Sequence, residues 1–271
     1  MTTQRVLITG GASGLGRALA EAWLARGARV LITDINDERG AETVFALKGR
    51  GEIHYQRANT CVAEDWVRLL EWVEENFNGL DVLVNNAGVA AAGRIDRVSM
   101  DDWDWIIDIN LKGVVQGCRT FTPLFKKQGD GQIINIASLA AVACAPAMSS
   151  YNVTKAGVVA LSETLRHELA PYGIRVSVVC PSFFQTNLAD TMRTPEEGMD
   201  STVRKLLAGG KIDADEVARR ILKGAGKNRL MILPHSEGKM LWWMKRYLPP
   251  VFNYALGDAG RKLKRKLERN S

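Results

Sequence analysis

The chain has 271 residues, 46% hydrophobic and 24% charged, with 25 glycines and 8 prolines. That profile is globular, and the length suffices to bury a core without disulfide or metal staples. The net charge of +6 sits in residues 238–271, where nine Lys/Arg face two acids for a balance of +7, leaving −1 on the other 237 residues and arguing against a nucleic-acid-binding body.

In chain order, "RVLITG" (5–10) predicts a first strand, and "TGGASGLG" then opens a helix from about Leu15. "ARVLITDI" (28–35) predicts a second strand ending at Asp34, with a helix from Asp37. Next come "EIHYQRA" (52–58), a helix from Ala63 to Asn76, and "LDVLVNNAG" (80–88). A long helical region with Trp103, Trp105, Ile106 and Ile109 runs to about Lys127. "GQIINIAS" (131–138), a helix from Ser149 to Leu169, "IRVSVVCPS" (174–182) and "RLMILPHS" (229–236) complete the series. Strands written as near-continuous Val/Ile/Leu runs, each followed by a helix, predict a doubly wound parallel sheet of α/β class, Rossmann-like, with helices on both faces. No linker interrupts it, so residues 1–237 are expected to form one domain and 238–271 a basic, aromatic-rich helical extension.

The four cysteines, Cys61, Cys118, Cys144 and Cys180, form no C-x-x-C pair, and His54, His167 and His235 have no ligand spacing, so no metal site is expected. Scattered cysteines suit a reducing compartment. The first residues, "MTTQRVLITGG", hold no apolar stretch of signal-peptide length. No segment approaches the ~20 apolar residues that span a bilayer. A cytoplasmic location is the expectation.

In a sheet of this kind the ligand lies beyond the carboxyl ends of the strands. There the loop of Gly10, Ser13, Gly14, Leu15 and Gly16 can approach a pyrophosphate at a helix N-terminus. Asp34 can hydrogen-bond both ribose hydroxyls of an adenosine and repel a 2′-phosphate, or else cap the helix near Asp37. No basic residue replaces Ser13 or Ile35, which favours NAD, while Arg17 and Arg39 leave NADP open. In "SSYNVTKAGV" (149–158), Tyr151 and Lys155 lie one turn apart on one helix face.

The glycine loop, "NNAG" (85–88), Asn110 in "IDINLKG", Ser138 in "NIASLAA" and "YNVTK" (151–155) together resemble the short-chain dehydrogenase/reductase family, in its order and spacing from Arg5 to about Ser236. The resemblance implies hydride transfer between a nicotinamide cofactor and a secondary alcohol or ketone. It implies Tyr151 as acid/base, Lys155 lowering the phenol pKa and binding the nicotinamide ribose, and Ser138 holding the substrate oxygen. Asn110 is similar to the family's helix-embedded asparagine, which holds a water linking the lysine to solvent. Asn86, Ala87 and Gly88, Pro181 and Thr186 are implied as further cofactor contacts, Thr186 at the carboxamide. Two departures stand out: Asn59 where the family often has an aspartate near adenine, and Ser182 for the usual glycine after Pro181, costing backbone freedom.

Small apolar residues between Ser138 and Tyr151, then Phe183, Phe184, Leu188 and Met192, suggest a pocket for an apolar substrate of steroid, retinoid or fatty-acyl type. Phe183 and Phe184 are the candidate substrate contacts with Ser138 and Tyr151. The stretch 186–211 has few strand or helix signals and is expected to be a mobile lid. The tail mixes Leu241, Trp242 and Trp243 with Lys and Arg, as interfacial helices do. It suits peripheral membrane contact, a partner subunit or a cover over the pocket mouth. The family commonly forms homodimers or homotetramers. Competing readings are a cofactor-sensing regulatory or binding protein on the same fold, a 3-oxoacyl-thioester reductase, or a scaffold acting through its tail.

Overall fold

The computed structural model describes residues 3–268, with side chains to 265. Seven parallel strands form one sheet: β1 (Arg5–Thr9), β2 (Arg29–Asp34), β3 (Ile53–Arg57), β4 (Val82–Asn85), β5 (Gly131–Ile136), β6 (Ile174–Val179) and β7 (Met231–Ile232), in the order β3-β2-β1-β4-β5-β6-β7. The order reverses between β1 and β4, so a crevice opens beyond their carboxyl ends. The helices are α1 (Gly14–Leu24), α2 (Asp37–Leu47), α3 (Ala63–Phe77), α4 (Met100–Ile107), α5 (Gly113–Gln128), α6 (Ala140–Ala143), α7 (Ser149–Leu169), α8 (Met199–Ala208), α9 (Ala214–Gly226), α10 (Ser236–Tyr247) and α11 (Pro249–Glu268).

Alternation along the strands explains why the central ones are apolar on both faces. Val6, Ile8, Val30 and Ile32 face one core with Leu19 and Trp23 of α1 and Val217 and Ile221 of α9. Leu7, Leu31 and Leu83 face the other, with Trp66 and Val73 of α3, Phe121 and Phe125 of α5, and Val158 of α7. Both faces of the central strands are covered, and polar side chains that reach water are confined to strand ends and to the edge strand β3, with His54 and Arg57. The predicted doubly wound α/β architecture is the one observed.

Two segments differ from the sequence expectation. Residues 108–112 form a π turn that joins α4 to α5 into one helical path, and Asn110 sits inside it. The stretch expected to be an unstructured lid holds a short 3₁₀ turn, Asn187–Thr191, and the helix α8. α8 buries Val203 and Leu207 against Ala189, a small satellite cluster that orders the segment.

Candidate active site

The glycine turn and the end of β4 are bound to each other. The Thr9 hydroxyl accepts from the backbone N of Asn86 at 2.9 Å and of Ala87 at 3.0 Å. In return the Asn86 amide donates to the carbonyls of Thr9 and Gly10, at 2.9 and 3.0 Å. Its donors therefore brace the turn. Gly16 has no room for a side chain, because a Cβ there would lie 2.0 Å from the Gly10 oxygen. The N-terminus of α1 carries no side-chain cap from Ser13 and no acid in its first turn. Its amides are left for an external anion, which fits a dinucleotide pyrophosphate.

Asp34 closes β2 at the rim of the same crevice. It accepts from Ala12 N and Asn36 N, each at 3.3 Å. The cap of α2 is Asn36, whose side chain accepts from Arg39 N at 2.9 Å, so Asp34 is not the capping residue. Asn59 lies nearby and its side-chain oxygen accepts from Cys61 N at 3.0 Å.

Across the crevice α7 presents Tyr151 and Lys155, with 6% and 4% of their surfaces exposed. The Lys155 ammonium donates to Ile136 O at 3.0 Å and stands 5.8 Å from the centre of the Tyr151 ring. Burial pushes Lys155 down to about 8. The sequence suggests that Lys155 holds the phenol down as well. Burial instead pushes Tyr151 up, and the opposing pull comes from a hydrogen bond with Ser138. Ser138 is just beyond β5, and its Oγ also accepts from Ala140 N at 3.2 Å. Asn110 is fully buried behind the pair: its Oδ1 accepts from Val89 N at 2.8 Å and its Nδ2 donates to Val89 O at 2.9 Å. Gly88 lies between them, where a Cβ would meet Asn110 Oδ1 at 3.0 Å and Lys155 Nζ at 3.3 Å.

Ser182 does not have a left-handed backbone, so the serine in place of glycine meets no φ that a side chain disfavours. Ser182 N donates to Nδ1 of His235 at 3.1 Å, and Leu139 N donates to Pro181 O at 2.7 Å. Thr186 accepts from Leu188 N at 3.3 Å and faces the glycine turn, where a Cβ on Gly14 would come 3.6 Å from its Cβ.

One cavity of about 450 Å³ runs through the crevice. Gly10, Ser13, Gly14, Leu15, Asp34 and Asn59 line one end, with Arg39 at the rim. Asn86, Ala87, Gly88, Lys155, Pro181 and Thr186 line the middle, and Ser138, Tyr151, Phe183 and Phe184 the far end. Gly16 and Asn110 lie behind its wall. Phe184 also belongs to a main core, packed near the His235 ring at 5.9 Å, whereas Phe183 is partly exposed. Sequence reasoning overlooked Thr9, Thr154 and His235. Thr154 accepts from Asn110 Nδ2 at 3.5 Å, and its place inside "YNVTK" was the available signal. His235 had none, since only the fold brings the end of β7 beside Ser182.

A sequence model of the short chain dehydrogenase family matches residues 4–197. The chain is 33% identical over 217 residues to a 3-oxoacyl-(acyl-carrier-protein) reductase of Thermotoga maritima, covering 80% of this chain and 87% of that one. Its fold superposes with a TM-score of 0.83 on a short-chain dehydrogenase/reductase from Burkholderia phymatum in complex with NAD, at 31% identity over 86% of this chain and 89% of that chain. A short-chain dehydrogenase from Sphingobium yanoikuyae in complex with NADPH gives 0.75 at 25% identity, covering 96% and 94%. With a parallel sheet of this order and a crevice built for a dinucleotide, the chain belongs to the short-chain dehydrogenase/reductase family of NAD(P)-binding oxidoreductases.

Proposed function

We propose that the protein interconverts a secondary alcohol and a ketone using NAD(H), with residues 1–237 as the catalytic body and 238–271 as an added extension. The observation that carries this reading is the convergence of Ser138 and Tyr151 on the apolar end of a cavity that has Lys155 at its middle and Asp34 and the glycine turn at its other end. A bound nicotinamide supplies or accepts hydride at the substrate carbon. Tyr151 gives its proton to a ketone oxygen or takes one from an alcohol. Because burial raises the phenol, it stands protonated at neutral pH as a donor, and alcohol oxidation gains as pH rises. Ser138 holds the substrate oxygen beside it. Lys155 spends one of its three donors on Ile136 O, and the others serve the ribose. Asn110 fixes Val89 and the strand end beneath.

Asp34 supports NAD, because its carboxylate faces the adenosine end and repels a phosphate. Arg39 at the same rim is what favours NADP as the competing choice. Leu139, Ala143, Met148, Phe183, Leu188 and Met192 support an apolar substrate of steroid, retinoid or fatty-acyl type. A 3-oxoacyl thioester is the second reading, favoured by the activity named for the Thermotoga relative. A regulatory, cofactor-sensing role is disfavoured by the retention of Tyr151, Lys155 and Ser138. A homodimer or homotetramer in the cytoplasm is part of the proposal, consistent with the family.

Tyr151→Phe tests the chemistry. It should lower kcat by ~10²–10⁴-fold while NADH binding stays within a few-fold. Retention of more than about a tenth of wild-type kcat would remove Tyr151 from the acid/base role. In the wild type, kcat/KM should be higher with NAD(H) than with NADP(H), and the reverse order would transfer the adenosine end to Arg39.

A further inference from the structure

The two C-terminal helices have an inner and an outer side with different chemistry. On the inner side, Lys245 Nζ donates to Val142 O at 2.7 Å, Phe252 is buried to 4% exposure, and a Cβ on Gly260 would lie 3.7 Å from Pro146. The helix pair is thus seated on the segment between Ser138 and Tyr151, which carries part of the cavity wall. Leu241 and Trp242, expected from sequence as outward anchors, are partly covered instead.

The outer side carries Met240, Trp243 and Tyr247 at i, i+3 and i+7 of α10, Leu248 at the turn, and Val251 and Tyr254 at i and i+3 of α11. Trp243 and Tyr247 are 52% and 58% exposed, with ring centres 5.5 Å apart. Apolar side chains of this size, gathered within 15 residues on one side of a helix pair, mark a docking surface rather than scattered exposure. Around them stand Lys239, Arg246, Arg261 and Arg265, all exposed. Arg246 lies 5.4 Å from the centre of the Trp242 ring, and Arg261 5.8 Å from that of Tyr254.

We propose that this outer face docks on an anionic lipid surface, with the aromatic rings at the headgroup level and the basic residues against the headgroups. Charge selects this occupant. A second copy meeting the same face would bring two tails of +7 together, a like-charge encounter. Anionic headgroups complement the basic residues, and Trp and Tyr favour the boundary between water and acyl chains. Among the described residues no helix is long and apolar enough to cross a membrane, so the helices lie on the surface. Ala143 and Ala145 line the cavity beside the seat of Lys245. Docking therefore sets this wall of the cavity on the side of the molecule that meets the bilayer, whichever carbonyl compound the cavity takes.

The test is co-sedimentation of the full chain with phosphatidylcholine vesicles and with vesicles containing phosphatidylglycerol, at about 0.1 M and about 1 M salt. A Trp243→Ser/Tyr247→Ser variant is compared, its fold checked by circular dichroism and NADH binding. Both side chains are exposed, so neither is needed for the core. The expected result is binding to the anionic vesicles, weaker by about tenfold at high salt and in the double variant. No binding to anionic vesicles at low salt, or equal binding by the variant, overturns the proposal. So does a smaller oligomer for the variant in sedimentation velocity, which would assign the face to a second copy. Vesicle binding does not depend on turnover, so failure of the catalytic reading in Tyr151→Phe leaves this result legible.

Discussion

Lys155 is a buried ammonium whose hydrogen-bond partner is a backbone carbonyl, Ile136 O. Its displacement from 10.5 to about 8 corresponds, at ~1.4 kcal/mol per unit, to a cost of about 3 kcal/mol. The sign follows from proton counting. Between about 8 and 10.5 the unfolded chain keeps the proton that the folded chain has lost, so stability rises with pH there. Below about 8 both states are charged and the cost is fully present. Lys155→Met should therefore melt higher than the wild type at neutral pH while losing turnover, and its advantage should shrink as pH approaches 10.5. Thermal melts at pH 7 and pH 10 read this directly; a lower melting temperature for the variant at pH 7 would mean that the ammonium stabilises the fold. The i, i+4 spacing made the Tyr151–Lys155 pair legible in the sequence. The environment of the pair was not, because what surrounds it, Ala91 and Ile106 at Tyr151 and Ile136 at Lys155, is remote in sequence.

At the level of elements, the seven strands and the helix over 149–169 were legible because apolar runs and small-residue turns punctuate them cleanly. α8 was not, since it shows only Val203 and Leu207 to a small cluster and reads as loop. The π turn at 108–112 leaves no trace in a 3.6-residue pattern, although it is what aims Asn110 at Val89. The junction of β7 with the Pro181-Ser182 wall is equally hidden. There His235, 2% exposed, accepts from Ser182 N through Nδ1, and that requires the neutral ring. Burial lowers its pKa from 6.5. Below 6.5 the unfolded chain takes up the proton first, so this group's contribution to stability is lost as pH falls through its lowered folded value. His235→Asn keeps an acceptor near Nδ1 without a titrating group. Its melting temperature should fall less than that of the wild type from pH 7 to pH 5, and parallel curves would show that protonation of His235 carries no linkage.

At the scale of the whole molecule, the basic tail begins just beyond the last strand. Both main cores are complete by Leu233, and all seven strands end by Ile232. α10 and α11 add nothing to the sheet; they rest on α6 and the loop after it, through Lys245 and Gly260. A chain ending at residue 237 should thus keep its sheet and bind NADH as the full chain does. What it loses is the cover over 142–146, the segment that carries the apolar wall of the cavity. For an apolar ketone, KM should rise several-fold while kcat changes less, because the truncated contacts hold substrate and transition state alike. Steady-state kinetics with a series of ketones of increasing chain length, alongside NADH titration, separates the outcomes. A KM increase that grows with chain length places the tail over the substrate. Unchanged KM with intact NADH binding would free the tail from the pocket altogether, and loss of NADH binding would make it part of the folding unit.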